Sequence, residues 1–132
     1  MFGVSVASRS TAGLVLVLLP TIEIGGLFLL WLVSRRDPGY FENPVRQSLL
    51  RVMYAHAGVL AILAQVGILY ADKPAKELVR VLLFLPPILV PAGFVLSVWK
   101  PAADRPNRWI VLCILGAASL AAGVMILGVA LL

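Results

Sequence analysis

Five residues in this chain have side chains that could do chemistry, and all five stand within or at the edge of long apolar runs: Glu23, Arg51, Tyr54, His56 and Gln65. Insertion scales set the cost of an ionised side chain such as Asp at the middle of a lipid-embedded helix at roughly 2.5 to 3.5 kcal/mol, and such residues mark ion or substrate paths. Glu23 is the strongest candidate. Apolar surroundings disfavour a charged carboxyl, so it suits a group that takes up and releases a proton near neutral pH. The structural alternative is a protonated Glu23 that bonds a free carbonyl or His56 and ties helices together.

His56, the single histidine, lies in Arg51-Val-Met-Tyr-Ala-His-Ala-Gly-Val-Leu-Ala-Ile-Leu-Ala-Gln65. At 100° per residue Arg51, Tyr54, Gly58, Ala61 and Gln65 share one helical stripe, and His56 points to the opposite side. Neither polar side suits acyl chains, so this helix should be central in a bundle or lie between the bundle and a partner chain. His56 can be a structural hydrogen-bonding group, a proton carrier paired with Glu23, or a haem or metal ligand. One His and one Glu are too few for a closed zinc site in one chain, although a dimer would supply four ligands. Arg51 is near enough to the helix start to snorkel to headgroups. Tyr54 and Gln65 would line a polar cavity with it, or simply tie helices.

The elements that hold these residues follow from composition. Of 132 residues, 61% are apolar and 13% charged. A soluble domain of this size has too much surface to hide that much apolar area, so the apolar residues must meet lipid. The fold class expected is all-α: one polytopic domain over 1–132, a bundle of four transmembrane helices near 13–33, 48–70, 77–99 and 109–132. The run Leu14 to Val33 is too long for a signal sequence, contains Glu23 and lacks a small-x-small cleavage site, so it reads as a retained span. Glu23 then falls near mid-depth.

Prolines and small residues interrupt the spans. Pro20 removes the amide that would serve the Leu16 carbonyl, and Gly25 and Gly26 follow, which reads as a local bend with a smooth surface beside the carboxyl. Pro86, Pro87 and Pro91 leave up to three carbonyls unpaired in the third span, which is then kinked or partly unwound where protein covers it or a cavity lies. In the fourth span Gly116, Ser119 and Gly123 form a small-residue face fit for close packing, with an intrachain neighbour or with a second subunit.

The net charge of +5 comes from eleven Lys and Arg against six Asp and Glu. Those cations sit mostly in connectors without a basic stripe or stacking aromatics, which points to anionic lipid headgroups rather than nucleic acid. Counting Arg51, the first and third connectors hold seven (Arg35, Arg36, Arg46, Arg51, Lys100, Arg105, Arg108) against four on the terminal side (Arg9, Lys73, Lys76, Arg80). That bias sets both termini outside the cytoplasm. Tyr40, Phe41, Trp99 and Trp109 are expected at the headgroup level. The single cysteine, Cys113, reads as a small buried side chain and cannot form an intrachain disulfide.

Four short helices with a mid-membrane glutamate in the first resemble the small multidrug resistance exporters, which would imply exchange of protons for a cationic substrate at paired glutamates of a dimer. That likeness is architectural and rests on Glu23; the prolines, the histidine and the long first connector depart from it. Pro20-Thr-Ile-Glu-Ile-Gly-Gly26, Tyr54-Ala-His-Ala-Gly58 and Arg105-Pro-Asn-Arg108 resemble a family of uncharacterised four-helix bacterial membrane proteins whose second helix is expected to carry His-Ala-His-Ala-Gly. Tyr54 stands where the first histidine of that motif would be, which takes one ligand from a two-histidine metal or haem site. The resemblance implies a multi-pass protein of the bacterial cytoplasmic membrane and supplies no activity.

No nucleotide loop, Ser-His-Asp set or Cys-pair motif is present, and no soluble segment is large enough for a separate active site, which weighs against an enzyme. The leading expectation is proton-coupled movement of a small molecule or ion, with Glu23 as proton carrier, His56 as its partner and the Pro86-Pro87-Pro91 break shaping the path, in a homo-oligomer and without a cofactor. The rivals are an accessory subunit of a larger membrane complex and a haem- or metal-binding protein using His56.

Overall fold

The computed structural model describes residues 6–71 and 76–132. These are all-helical apart from turns and connectors. The helices are α1 Val6–Ser34, α2 Pro38–Phe41, α3 Pro44–Tyr70, α4 Lys76–Phe84, α5 Pro86–Ser97 and α6 Val111–Leu131, with one 3-10 turn at Arg108–Ile110. Four stretches are long and apolar enough to cross a membrane: Arg9–Ser34, Pro44–Tyr70, Lys76–Ser97 and Arg108–Leu131. This fits a multi-pass membrane protein built as a four-helix bundle. Asp72, Lys73 and Pro74, read as the second connector, lie outside the described residues.

Local chemistry explains the helix ends. The α1 chain stops in a Schellman turn: Asp37 N–H bonds the Leu32 carbonyl at 3.0 Å and Arg36 N–H the Val33 carbonyl at 3.1 Å. The C′ position of that motif favours glycine, yet Arg36 takes it with φ of 48°. The next long helix begins at Pro44 rather than near Ser48. Asn43 caps it by accepting from Arg46 N–H at 3.0 Å, and proline at the first helical position needs no amide partner.

The inner pair of the bundle is α3 with α4–α5; α1 lies against α3, and α6 against α4–α5. The α3 span has the largest buried share of the four, whereas α1 and α6 present most of their surface outward. Arg51, Tyr54 and His56 on α3 are nevertheless exposed, against the expectation that neither polar side of this helix would face lipid, because the buried face of α3 is made by its small and aliphatic residues Leu50, Met53, Ala57, Leu60, Ala61 and Ala64. At the connector end Leu32, Tyr40, Leu50, Met53 and Val98 form one core. At the other end Ala71, Val79 and Leu83 pack against Leu120, Ile126 and Leu127. Tyr40 is thus buried in protein at the connector, while Phe41, Trp99 and Trp109 are exposed.

The proline-rich span breaks between Phe84 and Pro86. Pro86 cannot donate to the Leu82 carbonyl, and the Ser119 hydroxyl of α6 does so instead at 2.8 Å. Close approach there depends on the small residues: a Cβ at Gly116 would lie 2.6 Å from Val90 Cγ2, and one at Gly123 3.0 Å from Leu82 Cβ. The Gly116, Ser119, Gly123 face is therefore used within the chain, against α4 and α5. By contrast α1 continues as helix through Pro20, where Thr21 Oγ1 donates to the Leu18 carbonyl at 2.6 Å.

Candidate functional site

Glu23 is exposed near the middle of the α1 span, and it lines an open groove with Gly26, Leu27, Leu29, Leu30 and Tyr54. It has no hydrogen-bond or ion-pair partner among the described residues. Tyr54 reaches the groove from α3 because residue 26 is glycine. A Cβ there would stand 2.8 Å from Tyr54 Cε2 and 3.0 Å from the hydroxyl oxygen. The ring therefore crosses directly over the α1 backbone, one turn from the carboxyl.

Tyr54 also forms part of a second space, a partly open cavity of about 190 Å3 bordered by α1, α3 and the broken α4–α5 span. Thr21 and Gly25 contribute from α1, Ala57 and Ala61 from α3, and Phe84, Pro87 and Pro91 from the third span. Unlike Gly26, Gly25 has nothing within 4 Å of the position its Cβ would take, which leaves that part of the cavity empty. Pro86 is buried beside the break. Pro87 and Pro91 thus border a cavity, one of the two settings expected for the break, while Pro86 meets the other, and Glu23 lines the separate groove that shares Tyr54 with it.

His56 has a different neighbour. Its ring lies 5.8 Å from that of Phe94 in α5, and Nδ1 is 2.9 Å from the Val52 carbonyl. A carbonyl only accepts, so Nδ1 donates in this contact. No hydrogen bond or ion pair joins His56 to Glu23 among the described residues, because Tyr54 and His56 leave α3 on different sides. Gln65, on the Tyr54 stripe, donates to the Ala12 carbonyl at 2.9 Å and ties α3 to α1. Arg51 lies about 10 Å along α3 from Pro44, farther into the helix than a Ser48 start would put it. It turns back to the connector: Nε donates to Tyr40 Oη at 3.0 Å, with the guanidinium 5.9 Å from that ring's centroid.

The polar centre that sequence reasoning missed is at the connectors. Arg46 is 8% exposed; its Nε donates to the Val98 carbonyl at 3.3 Å and Nη1 to the Gly39 carbonyl at 3.1 Å, with Asp37 Oδ1 3.9 Å away. Asn43 Nδ2 donates to the Pro101 and Ala103 carbonyls at 3.0 and 2.6 Å. Asn107 Nδ2 donates to the Leu96 carbonyl at 3.0 Å while its Oδ1 accepts from Trp109 N–H at 2.9 Å. The Asn43 bonds to Pro101 and Ala103 and the Arg46 bond to Val98 clasp the first connector to the third, and the Asn107 bonds hold the third connector to the end of α5 and to the 3-10 turn. Asn43 before Pro44 was the available signal, since Asn-Pro marks a helix start; nothing in the sequence distinguishes Arg46 from the exposed cations around it.

Comparison with protein families, with curated proteins and with solved structures finds no match to this chain. Its own residues must carry the reading. Among the described residues, no group of three or more His, Cys, Asp and Glu could hold a metal ion. Among the described residues, the chemistry concentrated at α1 and α3 is a carboxyl without a counter-charge, a tyrosine that lines both its groove and the neighbouring cavity, and the uncharged walls of that cavity.

Proposed function

We propose that this chain is a small multi-pass protein of the bacterial cytoplasmic membrane, both termini extracytoplasmic, that couples proton movement to that of a small molecule or ion. Glu23 is the proton carrier. The observation behind this is the setting of its carboxyl: mid-span, in an open groove, with no cation beside it among the described residues and with Tyr54 at hand. A carboxyl held that way exchanges a proton for little structural change, since no ion pair must break first. Tyr54 replaces His56 as the near neighbour in this reading, because His56 bonds its own helix and faces α5.

The test is Glu23→Gln in proteoliposomes with an entrapped pH dye and a panel of small solutes applied under a pH step. The wild type should show solute-evoked proton release, and the variant should lose it while staying monodisperse and helical. Full release in a folded Glu23→Gln protein would end the proposal.

A second reading has its own support: α1 is the least covered helix, and Glu23 opens from its surface. In an accessory subunit of a larger membrane complex another chain would cover that face and supply the missing partner. Purification from native membranes at native expression should then bring unlike subunits in fixed ratio, whereas isolation only as a homo-oligomer counts against it.

A further inference from the structure

We infer that the cavity between α1, α3 and the α4–α5 break is a binding site for a small neutral aromatic molecule carrying one N–H or O–H donor, of the size of phenol or indole. Its volume of about 190 Å3 exceeds the ~150 Å3 at which an apolar protein cavity admits benzene. None of the residues lining it is charged, so it has nothing to neutralise a cation or an anion, and Glu23 lines the neighbouring groove rather than this cavity. The polar groups in its walls are mainly acceptors. Thr21 Oγ1 spends its proton on the Leu18 carbonyl and keeps its lone pairs. Pro91 cannot donate to the Pro87 carbonyl one turn earlier, and both prolines border the space. Tyr54 adds a hydroxyl that accepts as well as donates. Phe84 and the tyrosine ring provide aromatic surface for a flat guest. A ligand with one donor meets a surplus of acceptors, while its ring fills apolar volume.

The site goes beyond the proton-coupled reading, because occupancy requires neither Glu23 nor transport. Equilibrium dialysis of labelled phenol and of indole against the full chain in detergent measures it, with protein-free micelles as blank. Saturable binding of one molecule per chain is expected. Gly25→Leu should weaken it at least tenfold, since a Cβ there meets open space and the leucine fills the cavity without disturbing a packed neighbour. Ile88→Trp, at the half-exposed rim, should weaken it independently. Glu23→Gln should bind as the wild type does, so loss of transport with retained binding separates the two proposals. Wild-type affinity in both cavity variants overturns the inference, as does uptake equal to that of empty micelles. A co-purifying phospholipid, one per chain and lost in Gly25→Leu, would overturn it by identifying the cavity as an acyl-chain slot.

Discussion

Two residue contacts give the sharpest tests of the packing. Gly26 and Tyr54 are matched, so an added methyl at 26 drives into the ring: Gly26→Ala should destabilise by about 1 to 3 kcal/mol, the usual cost of overpacking. In a Tyr54→Ala background the same change should stabilise by about 0.5 to 1 kcal/mol, because alanine is the better helix former once the obstacle is gone. Thermal unfolding of the four proteins in detergent reads the reversal of sign. Arg46 is the second contact. Arg46→Ala leaves the Val98 and Gly39 carbonyls without donors and should cost about 3 kcal/mol, and Arg46→Lys should recover little, since an ammonium lacks the planar fork that reaches both. Chemical denaturation monitored by Trp fluorescence would show the loss. Glu23 could be singled out in the sequence because a carboxyl in an apolar run is rare and costly. Arg46 could not: its role depends on where the third connector folds back, and no local pattern records that. For the same reason Tyr40 beside Phe41 gave no sign of which ring would be buried.

Helix interruptions were readable from the prolines, and their compensation was not. The Pro86-Pro87-Pro91 run states which carbonyls lose their amides, but Ser119 is 33 positions after Pro86 in the sequence and its role appears only once α6 lies against α4. The small residues around Ser119 marked a close-packing face without naming the neighbour; Val90 and Leu82 prove to be that neighbour. A double-mutant cycle tests the compensation. Ser119→Ala alone should cost about 0.6 to 1.7 kcal/mol, the range of interhelical hydrogen bonds in membrane proteins. Pro86→Ala gives residue 86 an amide that can serve Leu82, so Ser119→Ala in that background should be close to neutral. Equal losses in both backgrounds would mean that the hydroxyl does not compensate for the proline. At the start of α3, Asn43-Pro44 outweighed hydropathy: the polar stretch through Gln47 looks like connector by composition, yet cap and proline make residues 44 to 47 helical.

At the scale of the molecule, the count of spans followed from composition, while their arrangement did not. The polar stripe of α3 argued for a helix central in the bundle or between the bundle and a partner chain; α3 packs against α1 and α4–α5, but Arg51, Tyr54 and His56 stay exposed, and the stripe did not reveal that Tyr54 and Gln65 meet α1 while His56 meets Phe94. The resulting exposure of Glu23 separates the two functional readings experimentally. A lipid-soluble carbodiimide attacks protonated carboxyls that open to an apolar phase, and the adduct is found by peptide mass spectrometry. For the isolated chain Glu23 should be labelled, given its open groove. A proton carrier that works in that groove keeps it accessible, so native membranes should yield the adduct too. An accessory subunit seats another chain against α1, so labelling of the isolated chain with protection in native membranes would move the assignment to the larger complex. Reaction in both settings, together with solute-evoked proton release lost in Glu23→Gln, would join the exposed carboxyl to transport.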